Sequence, residues 1–244
     1  MATYVLLPGA GSDSWYWHLV APELRARGHE VLAVDLPVDD DSAGFEEYAD
    51  GVVDAIGDRG AGRDGQLVLV AQSLSGFVAP LVAARVPVDL LVLVAAMVPA
   101  PGESAGEWWA NTGHEEARRE QALLDGRPVD GAPGAGDFDP METFFHDVSP
   151  EVVEAALAHG ERKQSGTPFV KPWPLTGWPD VPTRFLLGRN DRLFPAAFQR
   201  RVVRERLGIV PDEMESGHLP ALAHPMELVE RLEAYREGLG AGGA

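Results

Sequence analysis

Leu67-Val68-Leu69-Val70-Ala71-Gln72-Ser73-Leu74-Ser75-Gly76-Phe77 reads as a strand that stops at a serine and turns at once into a helix. The run Leu67–Ala71 has the length and branched content of a strand buried on both faces. A serine that attacks a carbonyl needs its hydroxyl held out at a strand end by a sharp, strained turn. The residues two before and two after it must be small, because the helix packs back against the strand there. Ser73 meets that condition with Ala71 and Ser75, whereas Ser75 fails it because Phe77 stands two positions beyond. The usual turn carries glycine at both small positions, so Ala71 and Ser75 make a tighter fit. The simpler alternative is that Ser73 only caps the following helix.

Working outward, Tyr4–Leu7, Val31–Val34, Leu90–Ala95 and Arg184–Leu187 repeat the same strand-length apolar pattern. Between them, Phe45, Ala49, Val52, Val53 and Ile56 fall on one face of a helix. Similar patterns occupy Leu19–Ala26, Ser75–Ala84 and Ala196–Leu207, and a last helix carries Leu228, Val229, Leu232 and Tyr235. Strands alternating with helices predict an α/β fold, a mostly parallel, doubly wound sheet covered on both sides. The alternation breaks once, over 99–182, where amphipathic pieces (Glu115–Leu124, Glu151–Leu157), a Gly/Pro stretch (131–136) and many aromatics replace the strands. That insertion is expected to be a helical lid over the carboxyl edge of the sheet, where ligands sit in open α/β folds. The core is then 1–98 with 183–237, and 238–244 is expected to fray.

The chain has 244 residues, with 20 Lys plus Arg against 38 Asp plus Glu, a formal charge of −18. Such a field repels phosphate backbones and anionic lipid surfaces, so neither nucleic acid nor a membrane is an expected partner. No cysteine is present, which removes disulfides, thiolate metal sites and cysteine nucleophiles. No zinc-type ligand spacing occurs, and no metal or cofactor is expected. The opening MATYVLLPG has neither a basic segment nor a long apolar run, so a cytoplasmic protein acting on a small molecule is the expectation.

A serine of this kind needs a base, an acid and two oxyanion donors. Of seven histidines, His218 lies in Glu215-Ser216-Gly217-His218-Leu219-Pro220, just before the final helical region, where a loop can carry an imidazole to the sheet edge. His18 and His29 flank a surface helix; His114, His146 and His159 fall in the insertion, where His146-Asp147 offers a functional pair but a solvated or helix-end role is the plainer reading. His224 belongs in or beside the last helix. Asp191 follows the strand Arg184–Leu187, again at the carboxyl edge, with turn formation or helix capping as the plainer alternative. The order Ser73, Asp191, His218, each after a strand, favours the triad. The backbone N–H of Leu74 and one from Leu7-Pro8-Gly9-Ala10-Gly11-Ser12, assigned to Ala10, complete the set.

These segments together resemble the α/β-hydrolase superfamily over nearly the whole chain. Within it, Leu6-Leu7-Pro8-Gly9-Ala10-Gly11 with Trp15-Tyr16-Trp17, Gly28-His29-Glu30-Val31 and Ser216-Gly217-His218-Leu219-Pro220 resemble small esterases related to plant methylesterases and hydroxynitrile lyases. The resemblance implies Ser73 as nucleophile, His218 as base, Asp191 as acid and Ala10 with Leu74 as oxyanion donors. Two positions depart from the pattern: Pro8 stands where histidine commonly precedes the glycine, and Gln72 where histidine or glutamate commonly precedes the serine.

A cofactor-free serine hydrolase of carboxylic esters is the leading expectation. A lyase or cofactor-free oxygenase on the same scaffold, or a ligand receptor with a retained triad, are the alternatives. The hydroxynitrile lyases of the resembling group use a lysine near the histidine and a threonine in the first loop; here Leu219 and Gly9 take those places, against cyanide chemistry. Half or more of the aromatics of the insertion and the first loop are expected to form a small core of their own, and the rest, drawn from Trp15, Trp17, Trp108, Trp109, Phe144 and Phe145, to line a pocket for neutral, apolar or aromatic substrates.

Overall fold

A computed structural model of the chain describes residues 1–60, 65–127 and 139–241; the 131–136 stretch and Phe138 of the expected lid lie outside them. Six parallel strands form one sheet: β1 (Ala2–Leu7), β2 (Glu30–Ala33), β3 (Gln66–Gln72), β4 (Leu90–Val94), β5 (Thr183–Gly188) and β6 (Asp212–Met214). Their spatial order is β2-β1-β3-β4-β5-β6. From β1 the chain steps one way to β2, then crosses back to place β3 on the other side. The connections leaving β1 and β3 therefore run to opposite sides, and such a switch point at the carboxyl edge is where open α/β sheets commonly take ligands.

Alternation along the strands sorts side chains onto two cores. Val5 and Leu7 of β1 face a cluster built with α2 (Phe45–Ile56) and α3 (Ala79–Ala83), while Tyr4 and Leu6 face one built with α1 (Val20–Ala26). On α2 the predicted stripe is buried at Phe45, Ala49, Val52 and Ile56, and its first turn is tied off by Glu47 Oε2, which accepts the Gly44 N–H at 2.6 Å.

In 99–182 the described residues hold helices and one isolated bridge, Ser104 to Pro172. The helices are α4 (Ala105–Asn111), α5 (His114–Leu124), α6 (Pro140–Phe144), α7 (Pro150–His159) and α8 (Thr167–Val170). The segment roots itself in both cores. Trp108 and Trp173 join the α2/α3 cluster, and Val148, Val152 and Val153 join the α1 cluster. The chain then completes the fold with α9 (Ala196–Leu207), α10 (Pro220–Ala223) and α11 (Pro225–Ala241).

Most strand ends differ from the sequence reading by a residue or two, and three differences have a wider bearing. The helix expected over Ser75–Ala84 is split into a 3-10 turn, Ser73–Gly76, and the short α3, because the tight corner at the strand end must be turned before an α-helix can start. β4 stops at Val94, since Ala95 has φ +44° and turns the chain out of the sheet. The terminal helix continues through 238–241, where fraying was expected. Among the described residues no helix is long and apolar enough to cross a membrane.

Candidate active site

Ser73 stands at the tip of β3 with φ +52°, a left-handed conformation that a residue with a Cβ rarely adopts. Close packing enforces it. Met97 N–H donates to Ser73 O at 2.9 Å, and a Cβ on Gly76 would lie 1.9 Å from the Met97 carbonyl oxygen. The obligatory glycine of this corner is therefore Gly76, one place beyond the small position that the sequence pattern stresses. Ser75 has another task, since its hydroxyl donates to the Pro8 carbonyl and fastens the corner to the loop after β1.

The three side chains expected to act together form one line of hydrogen bonds. Asp191 Oδ2 lies 2.8 Å from His218 Nδ1, and His218 Nε2 lies 3.0 Å from Ser73 Oγ. A carboxylate only accepts, so Nδ1 carries the proton and Nε2 is left to accept the serine hydroxyl. All three residues are buried. The other oxygen of Asp191 accepts the N–H groups of Leu193 and Phe194, each at 2.8 Å, which fixes the carboxylate in the turn after β5. That turn lies against the histidine loop, since Asn190 N–H donates to Ser216 O at 3.0 Å and a Cβ on Gly188 would stand 2.3 Å from the same oxygen.

Among the described residues, neither Ala10 N–H nor Leu74 N–H donates to another group, so both assigned oxyanion donors are free. Ala10 is exposed and Leu74 buried. Gly9 brings the β1 loop close to the serine, because a Cβ there would meet Gln72 Oε1 at 2.3 Å and Ser73 Cβ at 3.1 Å. Next to Ala10, Gly11 N–H donates to Gln164 Oε1 at 3.1 Å, and Gly11 O accepts Arg162 N–H at 2.9 Å.

The aromatics expected to line a pocket divide. The Phe144 ring lies 5.6 Å from the His218 imidazole, beside the candidate chemistry. Phe194, which the sequence did not single out, meets the same imidazole edge-on at 5.0 Å. Trp15 is stacked between His18 and His159 after the β1 loop, and Phe145 packs against the α1 core. Trp17 and Trp108 are both fully buried, Trp17 in the α1 core and Trp108 in the other, its indole N–H donating to Val98 O. Trp109 follows Trp108 in α4. It packs edge-on against His114 and lines a surface cavity with Gly106, Gly113 and Arg119 that includes none of Ser73, Asp191 and His218.

Several supporting residues were missed. Gln72, buried beneath the serine, donates through Nε2 to His218 O at 3.1 Å, and the departure from the usual residue before the nucleophile was the one signal of it. His114 donates through Nε2 to Leu193 O at 2.7 Å, and burial lowers its pKa, keeping it neutral behind the Asp191 turn. His146 and Asp147 are not a solvated pair; they face Gly217, and burial lowers the pKa of His146 as well. His29 is buried against β1, taking the Ala2 N–H on Nδ1 and pairing with Glu233 through Nε2.

The chain is similar to known proteins over most of its length. The rice protein named probable esterase PIR7A, from Oryza sativa subsp. indica, is 36% identical over 112 residues, which covers 42% of either chain, so this match spans less than half the length of that relative. Methylesterase 9 of Arabidopsis thaliana is 25% identical over 258 residues, covering 95% of this chain and 97% of that one. Among solved structures, a pyrethroid hydrolase from Sphingobium faniae JZ-2 superposes with a TM-score of 0.69 at 24% identity, over 99% of this chain and 100% of its own. The sequence model of the alpha/beta hydrolase family matches residues 4–232, from the first strand into the last helix, and the chain belongs to that family.

Proposed function

We propose that this protein is a cofactor-free serine hydrolase of carboxylic esters, with Ser73 as nucleophile, His218 as general base and Asp191 as its orienting acid. The single observation that carries the reading is the unbroken line Asp191 Oδ2, His218 Nδ1, His218 Nε2, Ser73 Oγ at the strained tip of β3. As Ser73 Oγ attacks the carbonyl carbon, its proton passes to His218 Nε2, and the buried Asp191 stabilises the resulting imidazolium. The N–H groups of Ala10 and Leu74 receive the oxyanion. His218 then returns the proton to the leaving alcohol, and a water activated by the same nitrogen releases the acid from the acyl-serine. The names of the relatives, esterase and methylesterase among them, favour the ester over other acyl compounds.

The substrate class in this reading is neutral and apolar or aromatic. The rings of Phe144 and Phe194 flank the base, and the chain's net charge of −18 offers no general attraction for an anionic substrate. A fluorophosphonate probe followed by peptide mapping tests the nucleophile. Labelling is expected on the peptide containing Ser73, and Ser73→Ala is expected to lose both the label and about 10⁴-fold or more in kcat on a short-chain aryl ester. Labelling that survives in Ser73→Ala overturns the assignment.

A further inference from the structure

His218 sits in a stretch without regular structure, between β6 and α10, so its place depends on what holds the peptides on either side. Downstream, its own carbonyl accepts from Gln72 Nε2. Upstream, the Gly217 N–H donates to Asp147 Oδ2 at 2.5 Å, a bond to a carboxyl oxygen across 70 residues of sequence. The Asp147 side chain is only 16% exposed, so solvent screens this bond little.

Asp147 belongs to the segment 99–182, yet it is built into the histidine loop. A Cβ on Gly217 would stand 2.7 Å from Asp147 Oδ1 and 2.8 Å from His146 Nε2, so the carboxylate and the imidazole both crowd the Gly217 Cα and leave no room for a side chain. On its other side Asp147 Oδ2 lies 3.8 Å from His224 Nε2, beyond a direct hydrogen bond. The Gly217 amide is thus the group that Asp147 addresses at close range.

We propose that Asp147 is a positioning residue for His218: by holding the Gly217 N–H against the sheet edge, it fixes the imidazole within reach of Ser73. The inference rests on the serine-hydrolase reading above. Misplacing a reacting group by about 1 Å can cost about 10²-fold in rate, which sets the scale of the effect.

The test uses the full chain and counts competent sites by stoichiometric phosphonate titration, so that kcat is expressed per reactive serine. Asp147→Ala is expected to lower kcat per site about 10- to 100-fold on a neutral aryl ester, with KM within about twofold of wild type. Asp147→Asn, whose amide oxygen still accepts the Gly217 N–H, is expected to recover most of that loss and to leave the acidic limb of the kcat/KM profile where it was. Gly217→Ala, which forces a methyl against Asp147 and His146, is expected to resemble Asp147→Ala. Wild-type kcat per site in Asp147→Ala overturns the proposal. So does an equal loss in the Ala and Asn variants with a displaced acidic limb, since the charge rather than the hydrogen bond would then matter.

Should Asp147→Ala yield too few titratable sites, Asp147→Glu keeps the charge but displaces it by one methylene, and full kcat per site there likewise overturns the positioning role. Ser73→Ala separates the two levels of inference. Activity persisting in it removes the serine-hydrolase reading together with this one, while an inactive Ser73→Ala beside an unimpaired Asp147→Ala removes only the positioning role.

Discussion

Ser73 holds a conformation that costs about 1–2 kcal/mol in an ordinary chain, and the corner around Gly76 and Met97 imposes it regardless. Strain maintained by such close packing projects the hydroxyl to where His218 Nε2 meets it. Asp191 is equally constrained, because its two oxygens are divided between the imidazole and two backbone N–H groups. Asn at that position can still accept with its oxygen, but if the amide oxygen faces the two N–H groups its NH₂ faces His218 and selects the wrong tautomer. Asp191→Asn is therefore expected to fold normally and to lose about 10⁴-fold in kcat, measured on an ester beside the circular dichroism of the two proteins. Near-wild-type turnover would place the acid elsewhere. Ser73, Asp191 and His218 were legible in the sequence because each sits in a turn after an extended run, a signal contained within a few residues. The contacts of Gln72 and Asp147 were not, because each meets the histidine loop across 146 and 70 residues respectively; the sequence marks Gln72 only as a departure and Asp147 only as half of a possible pair with His146.

At the scale of elements, β1, β3, β4 and β5 announce themselves as apolar runs because they are buried on both faces, and only their ends were misread. The short helices α4, α6 and α8 were not read at all, having too few turns to show a period. One signal for α4 was available: Ser104 and Glu107 form a capping box, each side chain taking the other's backbone N–H. The tryptophans failed for a related reason, since an indole close to a functional loop in sequence can turn into either core, as Trp17 does. α5 carries a test of its own. His114, in its first turn, is held to the carbonyl of Leu193 and is neutral, with its pKa lowered chiefly by burial. In the unfolded chain it titrates near the ordinary value of about 6.5. Between that value and the lower folded one, the unfolded state binds a proton that the folded state does not, so stability falls as pH drops through about 6.5 and levels off below the folded pKa. The urea midpoint of wild type is thus expected to fall more steeply from pH 7 to pH 5.5 than that of His114→Gln, which can still donate to Leu193 O. Identical slopes in the two proteins would exclude His114 as the source.

For the whole molecule, the sheet order and the charge act on the candidate site from different distances. The step from β1 to β2 and back to β3 puts the loop after β1 and the serine corner side by side, at the edge where open parallel sheets commonly take ligands. Around it lies a chain carrying −18, whose field extends about 30 Å at 0.01 M salt and about 8 Å at 0.15 M. A neutral ester feels none of that field at long range. An anionic analogue must climb it on every encounter, because the 20 lysines and arginines do not offset the 38 carboxylates. The kcat/KM of a neutral aryl ester is therefore expected to stay within about twofold between 0.01 and 0.3 M sodium chloride. That of an ester of the same size bearing a carboxylate is expected to start lower and rise several-fold as salt screens the repulsion. Because screening acts on approach and leaves the rings packed on His218 unchanged, the two salt profiles separate the charge of the molecule from the shape of the site. An anionic ester that is preferred at 0.15 M, or whose kcat/KM falls as salt is added, would mean that a cationic group receives it locally and that the neutral substrate class is wrong.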